Sequence, residues 1–264
     1  MEKEVVFKEL KRIGCNAGAD LVGICDVALL KKEDPDADAE KFLLGAKSIV
    51  IALVADPPYI SSAKDPYIYS RLSYPGYMKA DGACASMRAE LENEGYLTAR
   101  VEREAVHAFD RSGRPSKTIP IKKAAELAGL GKIGMHSLLV NPKFGPRVRM
   151  SAFITDAPLT PDKPFEGELC DSCGECARAC PAGAIGEDFS FDFMKCSAYL
   201  FGGLKVREIY DEAGEFYPDK IIPNLTRLGE TAAGWLKSFS EGRRLYYSCG
   251  ECVRLCNIHE RLAK

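Results

Sequence analysis

Cys170-Asp171-Ser172-Cys173-Gly174-Glu175-Cys176-Ala177-Arg178-Ala179-Cys180-Pro181 places four cysteines with two, two and three residues between them and closes on a proline. This C-x-x-C-x-x-C-x-x-x-C-P run is a ligand pattern for a 4Fe–4S cluster. Three thiolates on one tight loop reach three irons, and the fourth points toward a second cluster. A matching group, Cys249-Gly250-Glu251-Cys252-Val253-Arg254-Leu255-Cys256, follows much later, and Cys196 stands alone between the two. Eight cysteines therefore suffice for two cubanes.

The other three cysteines, Cys15, Cys25 and Cys84, are expected to be buried small hydrophobes. Zinc is the alternative metal, because paired C-x-x-C units also suit it. The proline after Cys180 and the following Ala184-Ile185 favour iron–sulfur. A disulfide scaffold does not fit a chain of 264 residues whose cysteines fall into cluster spacings. With 46% hydrophobic residues, 28% charged residues and a net charge of −2, the composition is that of an ordinary globular protein. Lys and Arg are dispersed, so a nucleic-acid partner is not expected. Met1-Glu2-Lys3-Glu4 lacks a signal-peptide pattern, and no apolar run approaches the roughly 18 residues of a bilayer span. A cytoplasmic protein with no membrane partner is expected.

Upstream of the cysteines the pattern is mixed α/β. Residues 2–14 carry Val6, Leu10 and Ile13 on one helical face, and residues 21–25 read as a short buried strand. An acidic loop around Asp34-Pro35-Asp36 leads to a brief helix ending near Gly45, and residues 48–54 are the clearest strand. Residues 55–80 read as a loop holding Tyr59, Tyr67, Tyr69, Tyr74 and Tyr77. This is either a loop pinned by half-buried aromatics or a lid over a flat ligand. Helical spacing returns over 83–94, a strand follows over 97–101, and Pro120 opens a helix to about Ala128. Val148 through Thr155 reads as the strand leading to the cysteine region.

Between these lies Gly129-Leu130-Gly131-Lys132-Ile133-Gly134-Met135-His136-Ser137. It satisfies G-x-G-x-x-G, but a helix rather than a strand precedes it, against the dinucleotide-binding use. Clustered glycines could still let the backbone approach a ligand and expose N–H groups.

From Ala125 to Cys256 the sequence resembles the cobalamin-dependent iron–sulfur reductases, the superfamily of epoxyqueuosine reductase and the reductive dehalogenases. The resemblance rests on Ala-Gly-Leu-Gly at 128–131, Phe144-Gly145-Pro146-Arg147-Val148-Arg149 and Thr155-Asp156-Ala157-Pro158-Leu159. The Cys170–Pro181 run, Lys195-Cys196-Ser197-Ala198-Tyr199-Leu200 and the final C-x-x-C-x-x-x-C complete it, in the same order. It implies an α+β protein: a nitroreductase-like α/β core with a C-terminal ferredoxin-like domain carrying two 4Fe–4S clusters. The division expected is a cofactor- and substrate-binding core over 1–160 and the double-cluster domain over 161–264. One cluster would use Cys170, Cys173, Cys176 and Cys256, the other Cys180, Cys196, Cys249 and Cys252. The clusters would pass electrons to a bound corrinoid that reduces a small-molecule substrate, with a ferredoxin or flavodoxin as donor. A flavin on the same core, or an electron-transfer protein with no substrate of its own, are the alternatives. The chain departs from epoxyqueuosine reductases at Ser116-Lys117-Thr118-Ile119-Pro120, where those enzymes carry an aspartate.

Tyr74, Tyr77, Lys117 and His136 are candidate proton donors. Each also has a plain structural reading: a satisfied buried histidine, a solvated lysine, packed aromatics. Gly129, Leu130, Gly131, Gly134, Met135, His136 and Ser137, with Arg147 and Arg149, are the candidate cofactor-binding residues. The two arginines are expected on opposite faces of a strand, one holding a carboxylate or phosphate and the other in solvent.

Overall fold

The computed structural model describes residues 3–101, 119–193, 195–196, 249–256 and 258. Lys117, the turn expected at 110–115 and the helix expected around 225–239 with Trp235 lie outside the described residues. The order is α1 (Lys3–Asn16), β1 (Leu21–Asp26), α2 (Val27–Glu33), β2 (Ser48–Ala55), α3 (Pro66–Asn93), β3 (Thr98–Val101) and α4 (Ile121–Leu127). A small hairpin, β4 (Lys132–Ile133) and β5 (Leu139–Val140), then precedes β6 (Val148–Thr155). Two short helices in the cysteine region, α5 (Glu175–Ala179) and α6 (Glu251–Arg254), complete the described elements.

Four strands form one antiparallel sheet in the order β1-β2-β6-β3. The residues of β2 are buried along nearly its whole length, because helices cover both faces of the sheet. Ile49, Ile51 and Leu53 pack with Val27 and Leu30 of α2 and Ala124 and Leu127 of α4. Val50 and Ala52 pack with Leu10 of α1 and Ala83, Met87 and Leu91 of α3. An apolar run rather than alternation is what a strand covered on both sides requires. Each such side chain contributes about 1.5–3 kcal/mol on burial.

The expectation of a loop over 55–80 is corrected. A short 3-10 turn occupies Pro58–Ser62, and α3 runs from Pro66 through Pro75 to Asn93. Tyr69, Ser73, Gly76, Ala80, Ala83, Met87 and Leu91 lie at helical spacing and are buried. Pro75 sits on the exposed side, where a missing N–H and a bend disturb no packing. Cys25 and Cys84 are buried as expected, whereas Cys15 is exposed.

After β6 the chain returns along β1. The Ile24 N–H donates to the Asp162 carboxylate (2.8 Å), the Asp162 N–H donates to the Ile24 carbonyl (2.9 Å), and Lys11 Nζ reaches the same carboxylate at 2.5 Å. The segment leading to the first cysteine loop is thereby tied to the core.

Candidate iron–sulfur and core-face site

Each cysteine loop turns on a glycine with positive φ. Gly174 (φ 74°) stands before α5 and Gly250 (φ 77°) before α6. The left-handed conformation reverses the chain between neighbouring cysteines and is cheap only for glycine. Cys170, Cys173, Cys176 and Cys256 line one cavity together with Met135, His136, Val140 and Ile258. Burial pushes the Cys256 thiol up to about 11, and the nearby Cys170, Cys176 and Cys173 push the same way. The second group is assembled from Cys180, Cys196, Cys249 and Cys252. Burial raises Cys196 to about 11, aided by Cys249 and Cys180, and it raises Cys252, aided by Cys249 and Cys196. Met135, Ile185 and Phe191 form an apolar seam touching cysteines of both groups.

Enclosed thiols that repel one another's charge need a positive partner to exist as thiolates, and bound iron would supply it. The donor chemistry thus fits two clusters.

The glycine segment has a different task from the one expected. A Cβ at Gly129 would overlap the Lys163 carbonyl, and one at Gly131 the Val140 carbonyl. These glycines let backbone pack on backbone rather than on a ligand. The N–H groups of Gly129, Leu130 and Gly134 are taken by the carbonyls of Glu126, Ala125 and Leu138. Met135 and His136 instead face the first cysteine group. The His136 Nδ1 accepts the Leu138 N–H (3.1 Å). Burial, with Lys122 nearby, lowers its pKa to about 4, so it is a neutral imidazole at neutral pH and a poor proton donor. The Ser137 carbonyl accepts from Lys122 Nζ at 2.5 Å.

A second constellation lies where β2 ends and β6 begins. Arg149 Nη2 pairs with Asp56 Oδ2 at 2.6 Å and donates to the Tyr69 hydroxyl at 2.6 Å. Its Nη1 donates to the Tyr77 hydroxyl at 3.4 Å. The guanidinium lies 5.4 Å from the Tyr69 ring centroid and 5.2 Å from that of Tyr77. Arg149 and Asp56 are buried. Burial alone would lower the Arg149 pKa, but the tyrosines and Asp56 hold it protonated, and burial pushes the Asp56 carboxyl up against the pull of Arg149. Arg147 belongs to the same group: its charge acts on Asp56 and its Nε is buried. The expectation of opposite faces fails because residues two apart on a strand share a face. Tyr77 joins this group, while Tyr74 is exposed. Asp56 and Tyr69 were not foreseen as site residues. Tyr69 joins this group to the second cysteine loop, since its ring stacks directly on Gly250 and packs with Val253 and Cys252.

The 4Fe-4S binding domain family matches residues 164–186, so the first cysteine run lies in an iron–sulfur domain. Over 181 residues the chain is 30% identical to the epoxyqueuosine reductase of Bacillus anthracis, covering 64% of this chain and 44% of that protein. A solved reductive dehalogenase, described with a mechanism for B12-dependent dehalogenation, superposes with a TM-score of 0.55 at 24% identity over 72% of this chain and 28% of that one. An epoxyqueuosine reductase solved with an epoxyqueuosine-modified tRNA-Tyr stem loop matches with a TM-score of 0.56 at 19% identity, over 98% of this chain and 66% of that one. The chain is thus similar in sequence to epoxyqueuosine reductases and in fold to both these enzymes and a reductive dehalogenase, and the alignment spans less than half the length of the first of these curated relatives. A near-neutral net charge does not by itself exclude a local contact with nucleic acid. Among the described residues, no helix is long and apolar enough to cross a membrane.

Proposed function

We propose that this iron–sulfur protein is a reductase that carries electrons singly through two 4Fe–4S clusters to a corrinoid at the face of its α/β core. Residues 1–160 act as a nitroreductase-like cofactor- and substrate-binding core and 161–264 as the double-cluster domain. The observation that carries the reading is the contact of Tyr69 with both Gly250 and Arg149, which joins the second cysteine loop to a buried polar group in the core. Bound clusters would supply one-electron transfer, and a bound corrinoid the reducing chemistry at the substrate.

The chain's own residues suit that arrangement. Asp56 Oδ1, Arg147 Nε, Arg149 Nε and Ser61 Oγ are buried without hydrogen-bond partners. Unmet donors and acceptors around the Asp56–Arg149 pair fit the amide fringe of a corrinoid, and Asp56, Arg147 and Arg149 are the residues that would hold it. Tyr77 accepts a hydrogen bond from Arg149 and is the candidate proton donor at this face. Met135, Ile185 and Phe191 exclude water between the two cysteine groups. A cytoplasmic ferredoxin or flavodoxin is the expected donor and a small molecule the expected substrate.

Anaerobic purification with iron analysis and cofactor extraction tests the proposal. About eight irons per chain and a corrinoid in the extract are expected. A flavin in the extract would move the reading to flavin chemistry on the same core. Full iron with no organic cofactor, and no spectral change on adding cobalamin, would leave an electron-transfer protein. Turnover of an epoxyqueuosine-containing tRNA stem loop would name the tRNA base, rather than a free small molecule, as substrate.

A further inference from the structure

The two cysteine groups differ in the cations around them. Beside the first, Arg178 is exposed, pairs with Glu175 at 2.7 Å and donates to the Cys173 carbonyl at 2.8 Å. Around the second, Arg254 pairs with Glu251 and Lys195 with Asp192, and Arg149 is committed to Asp56. Lys122 on α4 is different. Its Nζ donates to the Ser137 carbonyl at 2.5 Å and lies 5.9 Å from the centroid of the Phe191 ring. Among the described residues it has no carboxylate in ion-pair range; burial lowers its pKa, Cys196 and Cys252 act against that, and the Phe191 ring beside it belongs to the apolar cluster holding Cys180 and Cys252. Its neighbour Lys123 by contrast pairs with Glu126 and Glu33.

An ammonium half withdrawn from water and without a carboxylate is costly unless another negative charge faces it. A four-iron cluster bound to four thiolates is anionic, and accepting an electron makes it more so. Burial is the main cause raising Cys252 in the second group, where no cysteine is exposed, whereas the first group has Cys173 exposed beside the buried Cys176. Resting on the two-cluster reading above, we propose that the Lys122 ammonium makes the buried second cluster reducible, offsetting the penalty of burial on its reduced form. Lys122 acts as a fixed charge: a bound cluster would take one electron from the donor with no bond to protein broken. It is a positioning residue for charge, and it touches neither substrate nor reacting atoms. The Ala184 N–H donating to Cys180 Sγ at 3.3 Å works in the same direction.

The test is an EPR-monitored dithionite titration of the intact holoprotein, comparing wild type with Lys122→Met and Lys122→Arg. Methionine keeps the apolar stem and removes the charge, and arginine restores the charge. At a potential that half-reduces the wild-type second cluster, Lys122→Met is expected to lower its ratio of reduced to oxidised form roughly tenfold or more. The first cluster should stay within error and Lys122→Arg should track wild type. Unmoved potentials in Lys122→Met overturn the inference. So does an equal shift in Lys122→Arg, which would make the residue a packing element. Wild type with iron for only one cluster overturns the two-cluster reading itself. If Lys122→Met loses iron, Lys122→Gln is titrated in its place against Lys122→Arg on the same criterion.

Discussion

Cys173-Gly174-Glu175-Cys176-Ala177-Arg178 and Cys249-Gly250-Glu251-Cys252-Val253-Arg254 are one motif used twice. Both place a left-handed glycine between two cysteines and then a short helix with a Glu–Arg pair at i,i+3. Their surroundings differ. At the first loop, a Cβ on Gly174 would meet only the mobile end of Arg178, at 2.8 Å. At the second, Gly250 lies against the Tyr69 ring, behind which stand Arg149 and Asp56. Identical loops thus acquire different roles from what packs against them. The first faces solvent, where a donor protein can approach, and the second faces the core.

The largest break in that comparison should come from behind the second loop. Asp56→Ala leaves Arg149 buried and unpaired, and about 3–5 kcal/mol of stability should be lost in denaturant unfolding. Asp56→Asn should cost less. An Asp56→Ala loss under about 1 kcal/mol would mean that the pair is hydrated.

Next come the glycines. Gly250→Ala combines left-handed strain with overlap on an aromatic ring and should cost about 2–4 kcal/mol and deplete iron. Gly174→Ala should cost about 1–2 kcal/mol from strain alone, since Arg178 can swing aside. Equal losses in the two variants would erase the distinction between the loops.

Acid should act beside the first loop. His136 has a folded pKa near 4 against an ordinary value of 6.5, so the unfolded chain takes up a proton that the folded chain refuses. Stability is full above the ordinary value and falls as pH drops toward 4. The loss between about pH 7 and about pH 5 is about 2 kcal/mol. Unfolding curves of wild type and His136→Gln over that range check it, and the variant should show a flatter slope.

The smallest contrast concerns the Glu–Arg pairs. Glu175→Gln, at an exposed pair, should change stability by no more than about 0.3 kcal/mol. Glu251→Gln, at a pair that is only about one-fifth exposed, should cost about 0.5–1 kcal/mol. Thermal unfolding at low and high salt separates them.

The legible parts of the molecule were those with a local pattern. α1, β1, β2 and β6 announced themselves by apolar runs, and the cysteine groups by spacing. The first run is also matched by a known domain family. α3 was obscured because Pro75 and several tyrosines suggest a loop, while Ser73 and Gly76 occupy buried positions where large apolar residues would have revealed the period. Gly76 is small because Arg149 passes beside it, with a Cβ there falling 2.9 Å from its Cγ. The Gly129–Gly134 segment was misread because glycine for ligand approach and glycine for backbone packing look alike in sequence. Lys122 could not be told from Lys123 without knowing which side of α4 is covered. Asp56 and Arg149 come from different strands, and nothing local links them.

The tie between Asp162 and Ile24 has a further consequence. β1 is an edge of the sheet, and its outward N–H and C=O at Ile24 are both occupied by Asp162. An open edge of this kind is a template for another chain to add a strand. The segment that delivers the first cysteine loop therefore also guards the sheet against self-association. A molecule whose iron–sulfur region has come loose would expose that edge, and loss of the metal centre would be felt as clumping as well as lost electron flow.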